Sequence, residues 1–364
     1  MRILIIKTSA MGDIIHALPV LDYLRQAVPD AEVDWIVEEP FKDVLAGNPL
    51  LHRLHIIRTR KWRKSIFSAA TRHEAADVLK SIRDSHYDMA IDIQGNLKSG
   101  VLAGLSGAPR RFGFTRKFQQ EKLNALFTNY KIPHRPQDDN AGKRYLRIVS
   151  AALGRDYAGM NISTQVHTGE EDNRTAKQLL AGHSSAPVFL FHGGTTWQTK
   201  FWSEEGWIAL GKNALAAFPG SMILLSWGNE TERTSAQRVA AGIGPQARLL
   251  DRYTLKGITA VIKQVDLVIG GDTGLVHLAA AVGTPTVSYY RSSDGNASGP
   301  DGDRHIIVQS PLPCTRCFRT SCERDGECRD SIRPETILAG MKTLSRFFRR
   351  AAGSSNIAVK GNDR

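Results

Sequence analysis

The chain has 364 residues, of which 41% are hydrophobic, so a disordered chain is excluded and two globular domains are expected rather than one. Lys and Arg outnumber Asp and Glu by 48 to 36, and residues 51–150, with 20 basic and 8 acidic side chains, carry the whole net charge of +12. This local excess predicts an anionic partner, such as nucleic acid, acidic lipid headgroups or an acidic sugar, although a solvated surface explains a milder bias.

The first predicted element is an apolar strand at residues 2–7, which is too short for a membrane span or a secretory signal. A cytoplasmic protein is therefore expected. Residues 14–27 then carry apolar side chains at helical spacing, and strands are predicted at 32–37 and 88–92. Short strands that alternate with helices predict a parallel α/β domain.

The same pattern restarts after a polar stretch and predicts a second α/β domain. Its strands are expected at 188–191, 222–226 and 266–269. We place the first domain at 1–165, the second at 166–345 and a basic, disordered tail at 346–364, after a last helix that starts near Pro334. Ligands of parallel sheets bind beyond the carboxyl ends of the strands, so the residues after each strand, in a cleft between the two sheets, are the candidates for chemistry.

Residues 7–13 follow the first strand and end in Gly12 and Asp13. A carboxylate at the start of a helix either caps that helix or acts as a general base, and the local sequence leaves both interpretations open. The segment lacks the G-x-G-x-x-G pattern of dinucleotide-binding folds, which disfavours an NAD-dependent enzyme or epimerase.

Two segments of the second domain have the composition of a phosphate site. Residues 270–277 read GGDTGLVH and begin a helix, whose free N–H groups and the Thr273 hydroxyl suit a diphosphate, whereas Asp272 would cap the helix or bind sugar hydroxyls. Residues 192–202 combine glycines with Thr195, Thr196 and Lys200, and the lysine could neutralise a diphosphate leaving group. The simpler alternative for the first segment is an ordinary capped helix.

Residues 58–64 read RTRKWRK, so five of the seven side chains are basic and none is acidic. Arginine pairs with carboxylate and phosphate oxygens, which predicts an anion-binding segment. Nucleic acid is the rival ligand, but one aromatic side chain and no nucleic-acid-binding motif weaken that interpretation.

All four cysteines lie in one segment with the spacing C-x2-C-x4-C-x5-C, at Cys314, Cys317, Cys322 and Cys328. Structural zinc sites usually show two close pairs around a longer loop, so we expect reduced thiols and no metal.

Several stretches, taken together and in order, carry a family resemblance that extends from residue 1 to about 345. They read RILIIKTSAMGDIIH, VDWIVEE, RKWRKSIFSA, YDMAIDIQGNLKSG, HGGTTWQTKFWSEEGW, SWGNETER and GGDTGLVHLAAAVGTPTV. The chain resembles the heptosyltransferase I family of lipopolysaccharide inner-core biosynthesis, within glycosyltransferase family 9. The resemblance implies a GT-B fold, with two Rossmann-like parallel-sheet domains that face a central cleft.

The resemblance also implies an inverting transfer of L-glycero-D-manno-heptose from ADP-heptose to the 3-deoxy-D-manno-octulosonic acid (Kdo) region of lipid A. No cofactor and no metal are implied. By the matching motifs, Asp13 is the catalytic base, and Lys200 also assists the leaving group. Donor contacts fall on Thr195, Thr196, Lys200, Glu232, Tyr253, Asp272, Thr273, Gly274 and His277, and acceptor contacts fall on Arg60, Arg63 and Lys64.

One departure concerns the acceptor. The family carries an arginine near Gln120, where this sequence has Gln-Glu, so Arg116 or Lys117 would have to replace it. A heptosyltransferase II-like acceptor is the alternative function, and a nucleic-acid-binding protein is a distant one. We expect a monomer that binds no nucleic acid and lies peripherally on the cytoplasmic face of the inner membrane. Whether ADP, NAD or an oligonucleotide raises the melting temperature would separate these classes.

Overall fold

The computed structural model describes residues 1–135, 138–183 and 185–350, and it divides the chain into two compact units, Met1–His167 and Thr168–Arg364. Among the described residues, no helix has the length and apolar character that a membrane crossing requires.

In the described part of the first unit, six strands form one parallel sheet in the order β3-β2-β1-β4-β5-β6. This is the doubly wound order of open parallel sheets. Successive strands are added on one side of β1 up to β3 and on its other side from β4 onward, so the order reverses between β1 and β4. Apolar side chains of β1, all four buried from Ile3 to Ile6, place this strand at the centre of the core. The strands are β1 (Arg2–Ile6), β2 (Glu32–Glu38), β3 (Arg53–Ile57), β4 (Met89–Asp92), β5 (Arg110–Phe114) and β6 (Tyr130–Ile132).

The helix predicted at 14–27 is in fact two helices, α1 and α2, which meet at Leu18. Pro19 occupies the first position of α2. A proline lacks an N–H and clashes with the preceding turn, so one helix ends and the next begins there. The helices of the first unit are α1 (Met11–Ala17), α2 (Pro19–Ala27), α3 (Thr59–Lys64), α4 (Ala69–Asp84), α5 (Leu97–Leu105) and α6 (Ala141–Leu153).

The second unit repeats this architecture within its described residues. Six parallel strands pair in the order β12-β11-β10-β7-β8-β9, which is the same doubly wound order, and here the reversal lies between β7 and β10. The strands are β7 (Val188–His192), β8 (Met222–Ser226), β9 (Ala247–Leu249), β10 (Leu267–Gly271), β11 (Thr286–Tyr290) and β12 (His305–Gln309).

Aromatic side chains dominate the core of the second unit. Trp202 and Trp207, predicted to be core residues, pack against each other with ring centroids 5.1 Å apart and against Tyr289. The helices are α7 (Glu170–Leu179), α8 (Glu204–Ala217), α9 (Glu230–Ile243), α10 (Leu255–Ile262), α11 (Gly274–Ala281), α12 (Gly295–Ser298), α13 (Asp325–Asp330) and α14 (Pro334–Leu344).

The predicted boundary of the disordered tail, residue 346, lies too early in the chain. Phe348 is only 3% exposed and belongs to the core of the second unit, where it packs edge-on against Phe189. Arg350 donates to the buried Asp266 carboxylate at 2.6 Å. Burial of an aromatic ring and a buried ion pair therefore hold residues 346–350 in place. Residues 351–364 lie outside the described part of the chain.

Candidate functional site

The reversal point of the second sheet brings two of the predicted segments together. The loop after β7 carries Lys200, and the turn after β10 carries Asp272. The Lys200 Nζ lies 2.6 Å from the Asp272 Oδ2, and it also lies 4.4 Å from the centre of the Trp197 ring. A crevice at such a reversal point is where doubly wound sheets bind their ligands.

Asp272 is held ionised in this cluster. Burial by itself would raise the pKa of the Asp272 carboxyl, but the hydrogen bond with His277 at 3.4 Å and the charge of Lys200 outweigh it and hold that pKa well below its usual range. The expectation that Asp272 caps the next helix is wrong, because Thr273 occupies the N-cap position of α11. The carboxylate positions Lys200 and His277 instead.

The start of α11 is arranged to leave donors for a ligand. The Thr273 side chain makes no capping hydrogen bond, and Gly274 is the first residue of the helix. The N–H groups of a first helical turn have no partners within the helix, so they favour an anion. A Cβ on Gly270 would lie 2.8 Å from Val276, so glycine is required there for the strand to approach its helix.

Glu232 and Thr195 line an open cavity of about 710 Å³ in the second unit, together with residues of α8 and α9. Glu232 accepts hydrogen bonds from the Gly228 N–H at 2.7 Å and from the Asn229 amide at 2.8 Å. A Cβ on Gly194 would lie only 2.4 Å from the Glu232 Oε2, so this glycine provides the space for the carboxylate. The volume is in the range of small-molecule sites.

Two predicted donor residues lie elsewhere in the second unit. Thr196 is exposed in the loop after β7, and Tyr253 is half-buried between β9 and α10, where it packs against Gly257. Burial raises the pKa of the Tyr253 hydroxyl. Neither residue lines the 710 Å³ cavity.

Asp13 lies in the first turn of α1, beyond the carboxyl end of β1 at the reversal point of the first sheet. Its Oδ2 accepts a hydrogen bond from the Ala10 N–H at 3.3 Å, and its Oδ1 accepts one from the Tyr145 hydroxyl at 3.1 Å. Its side chain keeps 39% exposure. Asp13 therefore supports the helix start and still presents an accessible carboxylate, and its role as a general base stays a prediction.

Lys7 is the residue of this site that sequence reasoning missed. Its side chain is 1% exposed, and its ammonium group lies 3.8 Å from the Asp13 Oδ2 and 4.6 Å from the centre of the Tyr145 ring. Burial lowers the pKa of Lys7, and the charges of Asp13 and Asp92 offset that effect only in part. A lysine directly after four buried apolar residues was the available signal, since a buried ammonium needs a carboxylate partner.

The basic segment occupies the short helix α3 and splits into two groups. Arg58 and Lys61 pair with Glu74, whose pKa their hydrogen bonds lower to about 2. The predicted acceptor residues Arg60, Arg63 and Lys64 are exposed and have no ion pair among the described residues. The structure adds Lys98 at the same edge of the sheet, where it contacts the buried Glu38 at 2.7 Å.

The four cysteines are free thiols in a segment that is anchored beside the β7 loop. The Thr199 hydroxyl donates to the Arg319 carbonyl at 2.5 Å, and the buried Arg291 guanidinium pairs with Asp325 at 2.5 Å. Over the described ranges, no group of His, Cys, Asp and Glu side chains is arranged to hold a metal ion.

Comparison with known proteins shows which family this chain resembles. The family model of glycosyltransferase family 9 (heptosyltransferase) matches residues 75–326. Lipopolysaccharide heptosyltransferase 1 of Pseudomonas aeruginosa is 33% identical over 322 residues, which cover 88% of this chain and 87% of that relative. The enzyme of the same name from Escherichia coli K12 is 31% identical over 313 residues, covering 85% and 94%.

Solved structures agree with this result. The E. coli heptosyltransferase WaaC with ADP has a TM-score of 0.77 and 28% identity, and the match covers 95% of this chain and 100% of that one. E. coli ADP-heptose lipopolysaccharide heptosyltransferase II, at 19% identity and a TM-score of 0.70, shares the fold, with 94% and 98% covered. The predicted α/β class of GT-B type is confirmed.

Proposed function

This chain belongs to glycosyltransferase family 9, the heptosyltransferases, and on that premise we propose that it transfers heptose from ADP-heptose to the Kdo region of lipid A. The transfer inverts the anomeric centre in a single displacement. The observation that carries the proposal is the convergence of Lys200, Asp272 and the α11 start at the reversal point of the second sheet. That arrangement suits a nucleotide diphosphate.

The second unit binds the donor in this proposal. The α11 start, with Thr273 and Gly274, accepts diphosphate oxygens, and Lys200 supplies a positive charge as the ADP leaving group departs. Asp272 keeps Lys200 within reach through their 2.6 Å contact and holds His277 through the other carboxylate oxygen. Glu232, which lines the cavity with Thr195, contacts the donor ribose. Thr196 binds the diphosphate with Lys200, and the backbone at Tyr253 contacts the adenine.

The first unit supplies the base. A sugar hydroxyl is a weak nucleophile, so a carboxylate must accept its proton as the new glycosidic bond forms. Asp13 keeps an accessible carboxylate for this step, and the Tyr145 hydroxyl fixes its orientation. The ammonium of Lys7 lies 3.8 Å from the Asp13 Oδ2 and holds the carboxylate in place from the buried side. The exposed Arg60, Arg63 and Lys64 bind the carboxylates and phosphates of the acceptor.

The cellular setting follows from the acceptor. A Kdo-bearing lipid A is anchored in a membrane, so we place this enzyme peripherally on the cytoplasmic face of the inner membrane. In this proposal it acts as a monomer and binds no nucleic acid. No metal or cofactor takes part in the proposed displacement, since Lys200 supplies the cation at the leaving group.

The decisive experiment replaces Asp13 with Asn, which keeps the size and removes the base. With ADP-heptose and Kdo-lipid A, the Asp13→Asn variant should lose a factor on the order of 10²–10⁴ in rate. Its affinity for ADP, measured by calorimetry, should be unchanged. The matched control is Asp30→Asn, an exposed carboxylate in the turn before β2, which should keep full activity.

Two other outcomes would contradict the proposal. Near wild-type turnover of the Asp13→Asn variant would restrict Asp13 to supporting the helix. Transfer by the wild-type enzyme to a heptosylated core, with none to Kdo-lipid A, would establish a heptosyltransferase II-like acceptor instead. The anomeric configuration of the product, read by NMR, tests inversion directly.

A further inference from the structure

The turn between α3 and α4 exposes two large apolar side chains. Phe67 is 93% exposed, the highest value for a large hydrophobic side chain in the described chain, and Ile66 beside it is 58% exposed. Water contact of such side chains is unfavourable, so an adjacent pair at one turn marks a surface that meets an apolar partner.

This turn is held in place by its own hydrogen bonds. The Ser65 N–H donates to the Lys61 carbonyl at 3.2 Å, and the Ser68 N–H donates to the Ser65 carbonyl at 2.9 Å. Trp62 on the preceding helix packs against the core of the first unit. The backbone therefore fixes the position from which Ile66 and Phe67 project into solvent.

The charges around the turn have one sign. Residues 58–73 contain six Arg and Lys side chains and no Asp or Glu. Glu74 and Glu39 pair with Arg58, and Glu74 also pairs with Lys61. Four cations then remain without an ion pair in the part of the chain that the structure describes, namely Arg60, Arg63, Lys64 and Arg72.

We propose that residues 59–73, which we call the basic turn, dock on the surface of an anionic phospholipid bilayer. Phe67 and Ile66 enter the boundary between headgroups and acyl chains, and the four cations contact lipid phosphates. An apolar tip flanked by Lys and Arg is the pattern of interfacial membrane binding.

Nucleic acid fits the basic turn less well. The cations would suit phosphates, but duplex DNA offers no apolar layer for Ile66 and Phe67. Trp62, the aromatic side chain within the basic helix, is packed against the core and is not free to stack on bases. The bilayer accounts for both the charges and the apolar tip.

The purpose of the docking rests on the proposed function. Docking brings Arg60, Arg63 and Lys64 to the membrane surface, where a lipid-anchored acceptor presents its anions. The binding itself involves neither donor nor acceptor. It can therefore be measured separately from transfer.

The test measures co-sedimentation of the full chain with vesicles of phosphatidylglycerol and phosphatidylcholine that contain no acceptor. The double variant Ile66→Ser with Phe67→Ser should bind at least about tenfold more weakly than wild type. The matched control is Phe318→Ser, an exposed phenylalanine of the second unit at 59% exposure, which should bind like wild type. Vesicles of phosphatidylcholine alone should retain little protein at low salt.

Transfer assays separate this proposal from the function it rests on. With a water-soluble acceptor fragment the double variant should turn over normally, whereas with acceptor in vesicles it should be slower. Equal vesicle binding by the double variant and wild type overturns the docking proposal, as does preferential binding of a duplex oligonucleotide. A wild-type protein that binds vesicles but transfers no heptose would overturn the proposed function and leave the docking intact.

Discussion

The donor cluster of the second unit and the basic turn of the first unit present charge in opposite ways. Lys200 and Asp272 are 14% and 10% exposed and lie 2.6 Å apart, with His277 fixed against the same carboxylate. In the basic turn, Arg60, Arg63 and Lys64 point into solvent without ion pairs in the described structure. The first arrangement is preorganised and the second is open.

This difference predicts two kinds of sensitivity. Preorganised groups in a site with little water act on charge that develops in the reaction, so a single change should be costly. Exposed cations bind by longer-range attraction that salt screens within about 8–10 Å, so single changes should be mild. The predictions below test this contrast.

Of the changes to these two regions, the largest effect is expected for Lys200→Ala. The variant loses the cation beside the diphosphate and leaves the buried Asp272 carboxylate with one partner fewer. Its kcat/KM for the donor should fall by a factor on the order of 10²–10³. Lys212→Ala, an exposed lysine on α8, is the matched control. Donor kinetics equal to wild type would show that Lys200 is only structural.

The same variant should respond differently to acid. Because the pKa of Asp272 is depressed in the folded state, the ionised carboxylate stabilises the fold above the unfolded pKa of about 4, and this contribution is lost as pH falls through the folded pKa. Removing Lys200 removes one cause of the depression. The acid-unfolding midpoint, followed by circular dichroism, should therefore move to higher pH, and an unchanged midpoint would count against this coupling.

An intermediate effect is expected for Gly194→Ala. The new Cβ would lie 2.4 Å from the Glu232 Oε2, so the carboxylate must leave its position in the cavity wall. The donor KM should rise about tenfold, which corresponds to roughly 1.4 kcal/mol. Gly326→Ala is the control, because a Cβ there meets no atom within 4 Å. A donor KM that stays at the wild-type value would remove Glu232 from the donor site.

Sequence reasoning predicted the parts of the site that depend on local order. Glycines and hydroxyls directly after a buried strand occur within a few residues of each other, so the segments 192–202 and 270–277 could be read as a phosphate site. The contact of Asp13 with Tyr145 spans 132 residues, and only the folded sheet brings them together. The pairing of Lys200 with Asp272, 72 residues apart, was missed for the same reason. Of the two roles that the sequence left open for Asp272, the helix cap is wrong and the binding of sugar hydroxyls stays a prediction.

A smaller, salt-dependent effect is expected for the double variant Arg60→Ala with Arg63→Ala. Two exposed cations are lost from the acceptor side, so the acceptor KM should rise about tenfold while the donor KM stays constant. The difference from wild type should shrink as salt is raised. The pair Arg174→Ala with Lys177→Ala, two exposed cations on α7 of the second unit, tests whether any loss of positive charge does the same. A rise in the donor KM alone would show that this segment contacts the donor and not the acceptor.

The smallest effect is expected for the cysteines, although their segment touches the donor loop. Cys314 and Cys317 are exposed and free, whereas the contact with the loop runs from the Thr199 hydroxyl to the Arg319 carbonyl. Replacing both cysteines with Ser should therefore leave kcat/KM within about twofold, and a chelator should not lower the melting temperature. Thr199→Val, which removes the hydroxyl but keeps the shape, should raise the donor KM more than the double serine variant does. The opposite result would be one equivalent of bound zinc per chain, together with unfolding when a chelator is added. The thiols would then hold in place the segment beside Lys200, and the double serine variant would raise the donor KM more than Thr199→Val does.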